Sequence, residues 1–342
     1  MTKEKLFGKT LGEISVIVEE ATLPAYTAKQ IAGWLYKRGA PEISGMTDLS
    51  LKARSLLELR YETGLTPPSS VTAGSDGTKK YLFRITDSSF IETAYIPDRA
   101  RATVCLSVQS GCRMGCHFCM TGKQGFQGNL SSGDILNQFR SLPEHPLLTN
   151  IVYMGMGEPL DNLEEVLKSL EILTSEWGYG WSPTRITVST VGITGMVSEF
   201  LERTRCHLAV SLHSPFDDER LALMPVQKAH PVKEVLEVIR SFNFGRQRRV
   251  SFEYIVFKGL NDTQAHVREL ARILNGIRCR INLIRFHAIP GSPYSSPGQE
   301  EIEAFRDSLN AKGITATIRA SRGEDISAAC GLLSTLEQNK QP

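Results

Sequence analysis

The spacing of apolar and polar positions changes along the chain, and the change divides it. In "AKQIAGWLYKRG", Ile31, Trp34 and Leu35 fall at i, i+3 and i+4, the spacing of one helix face, and Gly39 is the expected stop. "DLSLKARSLLEL" predicts a second short helix, and "TPPSS" at Thr66–Ser70 breaks the pattern. "KKYLFRITDSSFIETAYIP" then carries two β-rich runs either side of Asp87-Ser88-Ser89, which predicts a hairpin.

From about Ala102 short β-branched runs alternate with amphipathic ones. The predicted strands are "TVCLSV", "NIVYMG", "RITVST", "CHLAVSLH", "RVSFEYIVF" and "RINLIRF". The predicted helices are "LEEVLKSLEIL", "GMVSEFLE", "VKEVLEVIRSF", "AHVRELARIL" and "QEEIEAFRDSLNAK". Six strand-then-helix units place the chain in the α/β class, with a parallel sheet that is open or closed into a barrel. In both architectures ligands gather at the C-terminal ends of the strands.

Composition adds limits. A net charge of +2 over 342 residues permits a nucleic-acid partner without arguing for one. The start, "MTKEKLFGKTLGEIS", lacks the apolar core of a signal peptide, and no run approaches the roughly 18 apolar residues of a membrane span. The expectation is a soluble, cytoplasmic protein. Seven cysteines, four of them in "CLSVQSGCRMGCHFCMTG", then point to metal or redox chemistry more than to a disulfide framework.

Cys112, Cys116 and Cys119 form C-x3-C-x2-C in a loop that follows a predicted strand. Three thiolates can ligate three irons of a [4Fe-4S] cube and leave the fourth iron open to a ligand with oxygen and nitrogen donors. Cys116 and Cys119 alone, as C-x-x-C, could hold zinc or act as a dithiol. A structural zinc site needs a second ligand pair, and the sequence offers no good one.

C-x3-C-x2-C after the first strand of a six-unit α/β domain resembles the radical S-adenosylmethionine (SAM) superfamily. That resemblance implies a partial (βα)6 barrel, with SAM chelated to the open iron and cleaved by one electron to a 5′-deoxyadenosyl radical. "ETAYIP", "RATVCLSVQSGC", "CHFCMTGKQGF", "MGMGEPL", "STVGI", "SLH" and "SRGEDISAACG", in that order, are similar to the radical SAM adenine methyltransferases of RNA, the RlmN/Cfr family. The similarity covers nearly the whole chain. It implies an RNA-binding helical accessory domain over residues 1–70, a β-hairpin linker over 71–97, a radical SAM core over 98–325 and a C-terminal segment over 326–342.

Site residues follow from the motifs. "GMGEPL" lacks the third glycine of a dinucleotide fingerprint, because Leu160 stands there. The family uses this loop for the amino end of SAM, which implies roles for Gly157 and Glu158. Ser189, and Ser211, Leu212 and His213, end two predicted strands and are implied SAM contacts, although a lone Ser or His there often only caps a loop. His287 stands where relatives commonly carry Asn. Cys206 and Cys279 read as small buried hydrophobes.

The resemblance gives Cys330 and Cys105 a different task. One SAM methylates the Cys330 thiol and a second, making two per turnover, supplies the radical that activates the S-methyl group. The methyl carbon joins adenine, and Cys105 then attacks the Cys330 sulfur, forming a disulfide and releasing the RNA. Glu92 is the implied acceptor of the adenine proton. The implied substrates are 23S rRNA in the peptidyl-transferase region and the tRNA adenosine 3′ to the anticodon, methylated at C2. The resemblance also implies a reducing system that the sequence does not identify, with flavodoxin and ferredoxin as candidates, and the expected state is a monomer. Lys37, Arg38, Lys79, Lys80, Arg246, Arg248 and Arg249 are candidate phosphate contacts. Gly128 replaces the Arg that the family often carries before Asn129-Leu130. Two other readings stay open: C8 methylation of the same rRNA adenosine, and a non-catalytic zinc-dependent RNA-binding protein.

Overall fold

The computed structural model describes residues 3–245 and 250–335. Its centre is a sheet of ten strands: β1 (Ser70–Ala73), β2 (Lys79–Thr86), β3 (Ser89–Asp98), β4 (Arg101–Cys105), β5 (Asn150–Tyr153), β6 (Ile186–Thr190), β7 (His207–Ser211), β8 (Val250–Val256), β9 (Cys279–Arg285) and β10 (Ala316–Ile318). Spatial order follows chain order from β1 to β10, so every strand lies beside its predecessor. Pairing is antiparallel from β1 through β4 and parallel from β4 through β10. The parallel α/β sheet expected from the sequence is present, with a seventh parallel strand, β10, beyond the six predicted. The hairpin β2–β3 extends the same sheet, because β3 pairs with β4 from Ala94↔Cys105 to Asp98↔Arg101.

The sequence pattern explains the layers. β8 is buried at all seven positions, as a parallel strand covered on both faces requires. Helices α1 (Leu11–Glu20), α2 (Thr27–Ala32) and α3 (Leu51–Glu58) precede the sheet, and α2 runs on as a π-helix over Gly33–Arg38. That helix ends at Gly39 with φ +75°, a left-handed stop that glycine adopts without strain. Along the core run α4 (Met120–Gln124), α5 (Ser132–Arg140), α6 (Leu163–Thr174), α7 (Thr194–Arg203), α8 (Asp217–Leu223), α9 (Val232–Ser241), α10 (Gln264–Ile273) and α11 (Gln299–Ala311). The sequence pattern did not predict α4, α5 or α8; all three are short, and α8 carries the buried charge of Arg220.

The N-terminal helices share the core's apolar interior. Tyr36 sets the join: its ring lies 5.9 Å from Trp177 and 5.7 Å from Tyr179, and its hydroxyl donates to Lys9 O at 2.6 Å. Among the described residues no helix is long and apolar enough to cross a membrane.

Candidate active site

One cavity opens at the C-terminal ends of the parallel strands. Cys105, Cys112, Cys116, Cys119, Gly157, Glu158, Ser189, Ser211, His213, His287 and Cys330 all line it. Residues more than two hundred positions apart therefore meet in one place. Leu212 and Glu92 are not on its wall. Leu212 is fully buried in the main core, where its amide donates to Glu253 O at 2.9 Å.

Cys112, Cys116 and Cys119 come from the loop between β4 and α4, and none of them is disulfide-bonded. Burial pushes the Cys112 thiol up to about 12 and raises Cys116 and Cys119 as well. Buried thiols of this kind ionise only when a cation joins them. Among the described residues no three Cys, His, Asp or Glu side chains converge on a single-ion site. Thiols spread around one cavity suit a cluster of several irons better than one tetrahedral zinc. The residues present fit a [4Fe-4S] group.

The glycine-rich turn after β5 packs closely against the protein's own backbone as well as lining the cavity. Gly157 has φ +95°, and a Cβ there would stand 2.5 Å from Gln109 Cβ. A Cβ on Gly155 would meet Ser107 Oγ at 2.6 Å and Leu106 O at 2.7 Å. The close approach these glycines permit includes the protein's own Leu106–Gln109 segment, and Gln109 Oε1 accepts from Glu158 N at 2.9 Å. The Glu158 carboxylate accepts from Thr190 Oγ1 at 2.6 Å, Val191 N at 2.9 Å and Leu160 N at 3.0 Å. Burial lifts its pKa to about 7 against those bonds. Glu158 thus ties the turn to the end of β6, and Thr190, which the sequence reading missed, is its partner.

His213 is also tied in. It has φ +57°, its Nδ1 accepts from Ile255 N at 2.9 Å, and its ring meets Phe118 edge-on at 4.8 Å. Burial, helped by the nearby Arg220 charge, lowers its pKa to about 3, so the imidazole is neutral. Since Nδ1 accepts, Nε2 carries the proton. His287 Nε2 lies 3.3 Å from Ser321 Oγ, and burial lowers its pKa.

Cys105 ends β4 and packs with Ala94 and Ala328, two residues from Cys330. Burial pushes its thiol up to about 12, the Cys330 thiol adds to the rise, and Arg319 opposes it. Arg319 follows β10 and bonds Glu253 Oε2 at 3.2 Å. Its charge is favoured by both Cys330 and Cys105. The sequence reading missed this arginine because it missed β10; the alternation in "TATIRA" was the available signal.

Glu92 lies on β3 and is almost wholly buried. Its Oε1 is 2.9 Å from Lys80 Nζ, and its Oε2 accepts from Ser334 N at 2.9 Å. Lys80 therefore holds a buried carboxylate. Lys79 pairs with Glu144 at 2.6 Å, and Arg38 pairs with Asp48 at 2.8 Å and stacks on Trp34. Lys37 is exposed. Arg246, Arg248 and Arg249 lie outside the described residues.

Residues 106–272 match the model of the Radical SAM superfamily. A probable dual-specificity RNA methyltransferase RlmN of Parabacteroides distasonis is 57% identical over 97% of both chains. The chain belongs to the RlmN family of radical SAM RNA methyltransferases. A dual-specificity RNA methyltransferase RlmN of Syntrophus aciditrophicus is 43% identical, over 98% of this chain and 97% of its own. The crystal structure of a radical SAM methyltransferase from Sphaerobacter thermophilus superposes with a TM-score of 0.89 at 40% identity, covering 96% of this chain and 99% of that one. Membership in the RlmN family brings SAM and a [4Fe-4S] cluster as cofactors.

Proposed function

We propose that this protein methylates C2 of adenosine in RNA, at the peptidyl-transferase region of 23S rRNA and at the tRNA adenosine 3′ to the anticodon. The observation that carries the reading is that Cys105 and Cys330 line the same cavity as Cys112, Cys116 and Cys119. A cluster with one open iron needs only the last three; the extra pair of thiols suits methyl transfer through the protein. The full-length likeness to proteins named RlmN supports C2 over C8.

Cys112, Cys116 and Cys119 would hold the cluster, which with SAM supplies the one-electron chemistry that generates a carbon radical. Cys330 takes a methyl group from one SAM and loses its thiol proton. A second SAM is consumed in activating that methyl group, which then bonds to the adenine carbon. Cys105 gives up its thiol proton and attacks the Cys330 sulfur; the sulfur–carbon electron pair stays with the methylene carbon, which takes up a proton to become the methyl group, and a disulfide remains. Glu92 accepts the C2 proton. In the described conformation Glu92 is capped by Ser334, so the segment after Cys330 must shift for the base to reach it. A flavodoxin- or ferredoxin-type donor supplies electrons. The helical region to about residue 70 serves as the RNA-binding accessory domain.

The test is a reconstituted reaction. Purified protein, loaded anaerobically with iron and sulfide, is given SAM, a reductant and transcribed 23S rRNA and tRNA fragments. Nucleoside mass spectrometry should then find 2-methyladenosine. Its absence with intact cluster and SAM cleavage, or 8-methyladenosine in its place, would reject the assignment.

A further inference from the structure

Arg220 is fully buried. Its guanidinium donates from Nε to Leu212 O at 3.2 Å, from Nη2 to Val191 O at 2.7 Å and Ser211 O at 3.1 Å, and from Nη1 to Gln227 Oε1. All four acceptors are neutral. Among the described residues no carboxylate forms an ion pair with it. Asp217, the carboxylate whose charge acts on it, is held by Gln227 Nε2 at 3.0 Å and by the exposed Lys233 at 2.5 Å. A buried cation satisfied only by neutral dipoles is costly, and proteins retain one where an anion comes to meet it.

The fold shows where that anion arrives. Arg220 lies on α8, and one turn later Leu223 O accepts from His117 N at 3.0 Å, between Cys116 and Cys119. Val191, whose carbonyl Arg220 holds, packs with Leu223, Met224, Cys116 and Phe118 in one apolar cluster.

We propose that Arg220 is the built-in counter-ion of the iron–sulfur cluster, placed behind Cys116 to offset its negative charge and favour its reduced state. The proposal rests on the reading of Cys112, Cys116 and Cys119 as cluster ligands. One-electron reduction adds one negative charge to the cluster, and a fixed cation in an apolar wall favours that state. The competing role is mechanical: Arg220 would only fasten the ends of β6 and β7. Lysine separates the two, since it keeps the charge and loses the planar fork.

The experiment compares wild type, Arg220→Gln and Arg220→Lys, each loaded anaerobically with iron and sulfide and titrated with dithionite. The reduced cluster is counted by its electron paramagnetic resonance signal, and unfolding of each apoprotein is measured alongside. At the potential where wild type is half reduced, Arg220→Gln should show about a tenfold lower ratio of reduced to oxidised cluster, equivalent to about 59 mV for one electron. Arg220→Lys should stay close to wild type. A wild-type potential in Arg220→Gln, or an equal shift in both variants, would overturn the proposal. If Arg220→Gln does not fold, Arg220→Lys decides: a wild-type potential supports the counter-ion and a lowered one rejects it. If neither folds, the side chain is a fastener and the proposal fails. Wild type that takes up no cluster would reject the ligand reading itself, an outcome distinct from any shift between variants.

Discussion

Lys80 Nζ lies 2.9 Å from Glu92 Oε1, on the same face of the β2–β3 hairpin and one diagonal step apart in the register. Both side chains are largely shielded from water. Removing one partner of such a pair strands the other in a poorly solvated site. Lys80→Met should therefore cost about 3 kcal/mol of stability, read from the urea midpoint of the apoprotein. It should also depress methyl transfer more than RNA binding, because Glu92 loses its orientation. Equal losses in both would mean that Lys80 acts mainly as an RNA contact.

The shared cavity of Cys105 and Cys330 predicts opposite phenotypes for two similar substitutions. Cys330→Ala should abolish methyl transfer while leaving the cluster's absorbance intact. Cys105→Ala should form the RNA–protein bond but fail to resolve it, so a covalent RNA adduct should appear on denaturing gels. Free methylated RNA from Cys105→Ala in wild-type yield would remove Cys105 from the mechanism.

His213 gives a pH dependence with a definite sign. Unfolded, its imidazole titrates near 6.5; folded, burial holds it neutral down to about 3. Between those values the unfolded chain binds the extra proton, so stability falls as pH falls from about 6.5 toward 3. Asn tolerates φ +57° and offers an acceptor for Ile255 N, so His213→Asn should fold and show a shallower loss over that window. Parallel curves for variant and wild type, from denaturant titrations at several pH values, would refute the assignment.

Gly157→Ala combines two penalties, a left-handed backbone and a Cβ driven to 2.8 Å from Gln109 N. A loss of at least about 2 kcal/mol is expected from unfolding curves, accompanied by weaker SAM binding in calorimetry. Unchanged stability would show that the turn can open away from Leu106–Gln109.

Much of this was legible in the chain because the underlying patterns are local. The β-branched runs at 150–153 and 250–256 and the spacing of Cys112, Cys116 and Cys119 need no tertiary knowledge. Only family likeness linked Cys105 to Cys330, since nothing near either residue announces the other. Arg220 was illegible for a physical reason: in "DDERLAL" it reads as one more charge on a polar helix start, and only the packed strand ends turn it inward. Gly157 and Glu158 were found by motif, yet their bonds to Gln109, Thr190 and Val191 depend on neighbours far away in sequence.

The most direct measurement is nucleoside mass spectrometry of 23S rRNA and tRNA from cells lacking this protein, rescued with wild type or Cys330→Ala. The account predicts that 2-methyladenosine disappears from both RNAs and returns only with wild type. Full levels without the protein, in cells with no second copy, or rescue by Cys330→Ala, would contradict it.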